Sequence, residues 1–404
     1  MKLGILREEK IPADKRVPLT PAQCVEVQKK YPEVVVVVRP GPVRTFKDEE
    51  YKAAGIKLQE DLSECDVLLG VKEVPPQNLI PGKMYFFFSH TIKKQEYNRK
   101  LLQAVLKKNI QLTDYEVLTD KEGFRIIGFG RFAGLVGAYS GMRAFGLRYD
   151  RFKLKPAYLC FNLDEMFQQL KTVKLPPVKI AITGNGRVAG GVVEVLNYLN
   201  VKQMDPYNYL KSLQPEKPEF VQLLPQNYVR RKDGEKFDLL HFFNHPEMYE
   251  NAFQPFAKNS DMLIAAAYWD PKAPVLFTRE EMKDETFRIR VISDITCDIN
   301  GSVPSTIKAG TIEDPFYDYN PETESTEPPF SSENNITVQA VDNLPCELPR
   351  DASEDFGRNL IDKVFPALFG NDKDEIIKRA TITKNGKLTP RFLYLQDFAE
   401  GKDE

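Results

Sequence analysis

Short apolar runs alternate with longer polar, periodic stretches at the start of the chain, at residues 3–6, 34–38, 67–71, 84–88 and 111–115. Runs of this length separated by helical segments predict βαβ units around a parallel sheet buried on both faces. Helix punctuation falls in the gaps. Thr20 followed by Pro21 predicts an N-cap and a first turn, with a helix continuing over 22–30 until Tyr31 and Pro32 stop it.

A second set of elements begins near Gly128. Residues 131–143 are rich in glycine and alanine and predict a helix packed closely on a neighbour. Next come an apolar strand at 178–183, a Gly-rich turn, a helix over about 188–199, and strands at 262–267 and 290–292, a Rossmann-like order. Residues 311–337 are rich in proline, serine and acids and predict a long surface loop. A last strand at 338–341 and a helix over 353–368 follow. Asn385-Gly386 is a strong hairpin signal, and it suggests that the tail returns to the first domain. The expected architecture is α/β, with two Rossmann-like domains of parallel sheet flanking a cleft. A discontinuous substrate domain (1–128 plus 346–404) would be joined to a nucleotide domain (129–345).

Composition narrows the class of protein. The 404 residues exceed what one core comfortably serves. Lys+Arg 56 nearly balances Asp+Glu 58, which gives no footprint for nucleic acid. No apolar run approaches the roughly 20 residues of a membrane span. The N-terminus lacks a secretory signal pattern, so a cytoplasmic protein, monomeric or a homodimer, is the expectation. Five scattered cysteines show no metal-ligand or disulfide spacing and read as reduced structural thiols, and no metal site is expected. With only three histidines, His90, His241 and His245, acid/base candidates near neutral pH are few. The last two have no motif around them and read as structural.

Gly184-Asn185-Gly186-Arg187-Val188-Ala189 lies between an apolar strand and a helix, the context that a dinucleotide fingerprint requires. Gly184 would make the tight turn, Gly186 would admit a pyrophosphate, Ala189 would sit where helix meets strand, and the helix N-terminus, with Arg187, would face the phosphates. Asp205, about 20 residues on, suits the ribose hydroxyls and favours NAD, with NADP possible. The plain alternative is a solvated turn aspartate.

Residues 4–21, 70–97 and 292–298 resemble the alanine dehydrogenase and saccharopine dehydrogenase superfamily. DYEVL at 114–118, TIEDPF at 311–316, VDNLPCELPRDASEDFG at 341–357 and ATITKNGKLT at 380–389 are similar to the lysine-2-oxoglutarate reductase half of bifunctional animal enzymes. That resemblance implies an L-lysine-forming saccharopine dehydrogenase, which interconverts saccharopine with L-lysine and 2-oxoglutarate by hydride transfer through an imine. It implies Lys72 and His90 as the acid/base pair, at strand ends where α/β proteins place their chemistry. Arg16 and Lys93 would hold carboxylates, Glu73 and Glu116 would face amino groups, and Asp298 would lie near the substrate nitrogen. Arg131 departs from the residue types of the relatives. Three rival readings remain open at this point: an alanine dehydrogenase using ammonia and pyruvate, a non-catalytic NAD(H)-binding module, and an opine-type enzyme with another keto acid.

Overall fold

The computed structural model describes residues 1–11 and 13–402. The chain divides into two compact units, Met1–Phe129 with Pro349–Glu404, and Gly130–Leu348.

The first unit is built on β1 (Lys2–Ile5), β2 (Val35–Val38), β3 (Lys57–Leu58), β4 (Val67–Leu69), β5 (Met84–Phe87) and β6 (Gln111–Asp114). All are paired in parallel. Strands β1, β2, β4 and β5 are short, mostly apolar and largely buried because helices cover the sheet. The first helix, Pro21–Lys30, starts as its sequence dictates. Thr20 Oγ1 accepts the Gln23 N–H, and the Gln23 side chain accepts the Thr20 N–H, closing a capping box.

The second unit carries β7 (Lys179–Thr183), β8 (Lys202–Met204), β9 (Glu219–Leu223), the two-stranded ribbon β10 (Val229–Arg231) and β11 (Tyr249–Asn251), and β12 (Met262–Ala265) and β13 (Val291–Asp294). The remaining strands of this unit are β14 (Phe316–Asn320), β15 (Ser325–Glu327) and β16 (Ile336–Gln339). The sheet order is β15-β14-β16-β13-β12-β7-β9-β8. One expectation is corrected here. The stretch 311–337 is not a long surface loop. Its proline- and acid-rich composition conceals the buried, aromatic Phe316, Tyr317 and Tyr319, and β14 adds antiparallel to β16. Asp318 can be buried within it because Thr337 Oγ1 donates to it at 2.7 Å, the Ser331 N–H donates at 2.9 Å, and Arg148 lies 3.8 Å away. The neighbour of β7 is β9 rather than the next strand in sequence, β8.

The glycine-rich helix, Gly130–Arg148, packs on the helix Arg187–Tyr198. A Cβ on Gly134 would lie 1.9 Å from the Val188 carbonyl oxygen, and one on Gly191 would lie 2.2 Å from that of Arg131. Beside this contact Arg131 makes a two-pronged salt bridge to Glu194.

After the second unit the chain supplies β17 (Thr381–Lys384) and β18 (Lys387–Leu388), which complete the first sheet as β18-β17-β6-β5-β4-β1-β2-β3. Asn385 and Gly386 take φ of 53° and 71°, the left-handed pair that a two-residue hairpin needs. The helix expected over 353–368 is three pieces: Pro349–Asn359, a π-turn Leu360–Val364 and Phe365–Phe369. Pro366 has no N–H and crowds the preceding turn, which the wider π-turn accommodates. Among the described residues no helix is long and apolar enough to cross a membrane, no disulfide is formed, and no group of acidic, His or Cys side chains is placed to hold a metal ion.

Candidate active site

In the first unit, adjacent strands deliver candidate residues just past their C-terminal ends: the loop after β1, Lys72 after β4, His90 after β5 and Glu116 after β6. The side chains form two groups. The first centres on Glu116. His90 Nδ1 lies 3.3 Å from its Oε2, and Lys93 Nζ and an Arg125 guanidinium nitrogen lie 3.4 and 3.3 Å from its Oε1. Burial pushes the Glu116 carboxyl up, yet the His90 hydrogen bond and the Lys93 and Arg125 charges win, holding it down at about 2. His90 has a left-handed backbone, φ 54°, and its ring stacks on Phe88. A bulky residue in that region is costly and is kept only where its surroundings determine it. Beneath, Asp114 is fully buried and accepts from Ser89 and from the Glu116 N–H, fixing the turns that carry both His90 and Glu116.

The second group centres on Asp14 and Glu8, neither of which the sequence reading singled out. Arg16 is buried, donates through two nitrogens to Asp14 at 3.0 and 2.6 Å, and lies over the Phe129 ring at 4.0 Å. Burial raises the Asp14 carboxyl, but the Arg16 charge and hydrogen bonds, with Lys72 beyond, hold it down at about 2. Glu8 accepts the N–H groups of Val71 and Lys72 at 2.7 and 2.8 Å. Desolvation and the neighbouring Asp14 push Glu8 up to about 8. Glu73 is paired with Lys10 through one oxygen, while its buried Oε2 meets no partner among the described residues. Phe129 stacks on Phe356 and contacts Phe88, forming an apolar wall between the groups. The only sequence signals for the missed acids were the place of Asp14 two residues before Arg16 and the acidic pair Glu8-Glu9 after β1.

In the second unit a cavity of about 610 Å³ opens over the fingerprint turn. Gly184 has φ +93°, and a Cβ there would lie 3.0 Å from the Ala267 Cα, so only glycine serves. Gly186 caps the helix Arg187–Tyr198 and has open space where a Cβ would stand. This bare helix N-terminus over a cavity fits the diphosphate of a dinucleotide. Arg187 and Val188 line the cavity, and Ala189 is buried behind them. Asp205 does not line it. It lies past β8, one strand beyond β9, and caps the helix Pro206–Lys211 by accepting from Asn208. Pro225 and Tyr228, which follow β9, the strand paired with β7, line the cavity. The β10–β11 excursion supplies an aromatic wall: Phe242 packs edge-on against Tyr249, and Phe243 lines the cavity while 63% exposed. His241 Nδ1 lies 3.2 Å from the Tyr249 hydroxyl, an anchoring contact. Trp269, the chain's one tryptophan, lines the same cavity. Asp298 is exposed on a turn after β13 that Gly301 closes, while Asp294 is buried and accepts from Thr296 and Thr306.

Residues 4–136 match the family described as alanine dehydrogenase/PNT, N-terminal domain. Two mostly parallel sheets in the α/β arrangement are those of an L-alanine dehydrogenase structure, with a TM-score of 0.63 at 16% identity over 99% of this chain and 100% of that one. Among named relatives, the chain is similar to alpha-aminoadipic semialdehyde synthase, mitochondrial, of Rattus norvegicus, 30% identical over 98% of this chain and 48% of that protein. It is also similar to the NAD(+), L-lysine-forming saccharopine dehydrogenase of Neurospora crassa, 25% identical over 88% of each. The chain spans about half the length of the rat protein.

Proposed function

We propose that this chain interconverts saccharopine with L-lysine and 2-oxoglutarate, using NAD or NADP. The observation that carries the reading is Glu116, a carboxylate held ionised between His90 and Lys93 at the strand ends of the first unit. A substrate with several carboxylates and amino groups needs cations and acids side by side. Arg16 and Lys93 bind carboxylates, the first through a planar two-pronged group already oriented by Asp14. Glu73 and Glu116 take the amino groups, and the unpartnered Glu73 Oε2 is an acceptor suited to an ammonium. Asp298 is a further substrate-binding acid.

His90 and Lys72 hold and move the protons. Glu116 at His90 Nδ1 orients the ring and leaves the opposite nitrogen for exchange. Glu8, gripping the Lys72 backbone, fixes where that ammonium begins. Gly184, Gly186, Arg187 and Ala189 hold the dinucleotide, which when bound supplies or accepts hydride. Asp205 is left out of this set.

The test is absorbance of the reduced nicotinamide with NADH or NADPH, L-lysine and 2-oxoglutarate, beside ammonia with pyruvate. Oxidation that requires both lysine and 2-oxoglutarate is expected. Oxidation with ammonia and pyruvate alone overturns the assignment in favour of an alanine dehydrogenase.

A further inference from the structure

The parallel strands of the first unit deliver their candidate chemistry at their C-terminal ends, but a larger cavity, about 730 Å³, opens at the other edge. Met1, Val67, Met84 and Gln111, at or next to the starts of β1, β4, β5 and β6, line it. Four-residue strands separate the two edges by roughly 13 Å. The volume is that of a small-molecule site. Its floor is apolar, with Leu368 and Ile377 facing the strand starts.

The rim is net cationic: Lys378, Arg379, Lys384 and Arg391 stand against Glu375 and Asp372, and one Asp372 carboxylate oxygen is buried with no hydrogen-bond partner among the described residues. Of its basic residues, Lys378 is paired with Glu375, and Asp372 accepts the Lys378 N–H. Lys384 and Arg391 are exposed and meet no carboxylate among the described residues. Arg379 is also on the rim, with its guanidinium given entirely to neutral acceptors: the Thr119 and Asp120 carbonyls at 2.8 and 3.0 Å, and the Asp374 carbonyl.

We propose that this cavity is a second, non-catalytic site that takes a small amphipathic carboxylate. The aliphatic or aromatic body lies on Val67, Met84 and Leu368, and the carboxylate faces Lys384 and Arg391. Occupancy is felt at the other edge through Arg379. A carboxylate makes stronger, charge-assisted hydrogen bonds to a guanidinium than a peptide carbonyl does, so a bound anion competes with the Thr119 and Asp120 carbonyls. That loop is bridged at Thr119 to Arg125, and Arg125 contacts Glu116, the partner of His90. The ligand therefore loosens the loop that steadies Glu116.

Titration calorimetry of the full chain with octanoate tests this, with octylammonium as the reverse-charge probe. One octanoate is expected to bind per chain without changing Trp269 fluorescence, which reports on the other cavity. The exposed-site double variant Lys384→Glu/Arg391→Glu should weaken it at least tenfold, as should Leu368→Arg, which fills the floor. Amide exchange over residues 119–125 should quicken when octanoate is bound. Absent octanoate heat, equal binding of octylammonium, undiminished affinity in both variants or unchanged exchange would each overturn the proposal. So would a chain that self-associates through this face and ignores octanoate.

Discussion

Glu8 and Lys72 meet through the main chain rather than through their charges: the Lys72 N–H donates to Glu8 Oε2 at 2.8 Å, while the other oxygen takes the Val71 N–H. One carboxyl group thereby links the loop after β1 to the end of β4 and fixes the backbone from which Lys72 projects.

That linkage gives a pH signature. Desolvation and Asp14 raise Glu8 from its ordinary 4.5 to about 8, so in this interval the folded chain holds a proton that the unfolded chain has released. The contribution to stability is complete below pH 4.5 and is lost as pH rises through about 8. Burial raises Glu347 to about 8 as well, adding a slope of the same sign. Urea unfolding from pH 5 to 8.5 should show falling stability, less steep in Glu8→Gln and flatter still in Glu8→Gln/Glu347→Gln. Equal slopes in all three would show that Glu8 titrates normally.

The acid/base assignment predicts that His90→Ala and Lys72→Met each lower kcat by roughly 10² to 10⁴. Cofactor affinity, followed as quenching of Trp269 within the second-unit cavity, should stay within about twofold of the parent. Turnover at the parental rate in either variant removes that residue from the chemistry.

Asp205 caps a short helix, so Asp205→Ala should slightly lower stability and leave the ratio of KM for NADH and NADPH unchanged. Phe243→Ala, in contrast, should raise the KM of both cofactors by uncovering the aromatic wall. A changed ratio in Asp205→Ala would restore that residue to ribose recognition.

Gly191→Ala forces a methyl group toward the Arg131 carbonyl, where the ideal position is only 2.2 Å away. The two helices must part, at a cost of about 1–3 kcal/mol or more. The helix that presents its N-terminus to the cavity moves with them. Thermal unfolding should fall by several degrees, with weaker quenching of Trp269 at a given NADH concentration.

What was legible in the sequence was what a few neighbouring residues determine. Asn385-Gly386 specified a left-handed hairpin pair, Thr20-Pro21 specified a helix start, and Gly184 specified a turn that a side chain would block. What depends on pairing between distant strands was not. Nothing near Asp205 reveals that β9 slips between β8 and β7, and nothing near Phe243 reveals which cavity a β10–β11 excursion will wall. The buried pairing of β14 was hidden for a related reason: prolines and acids outnumber the aromatic residues that decide it. His90, Lys93 and Glu116 were singled out by resemblance, and their meeting around one carboxylate became visible only in three dimensions.

The pairing of β17 with β6, which sets Thr381 opposite Thr113, also bears on how the chain is made. As a ribosome emits it, the β6 edge must wait for more than half of the polypeptide before its partner exists, leaving unpaired peptide groups that invite association with other chains. The intervening unit has no such wait, since every strand in its sheet lies between Lys179 and Gln339. Synthesis therefore favours an order in which the later-encoded unit matures first, and chaperone demand falls on the earlier one.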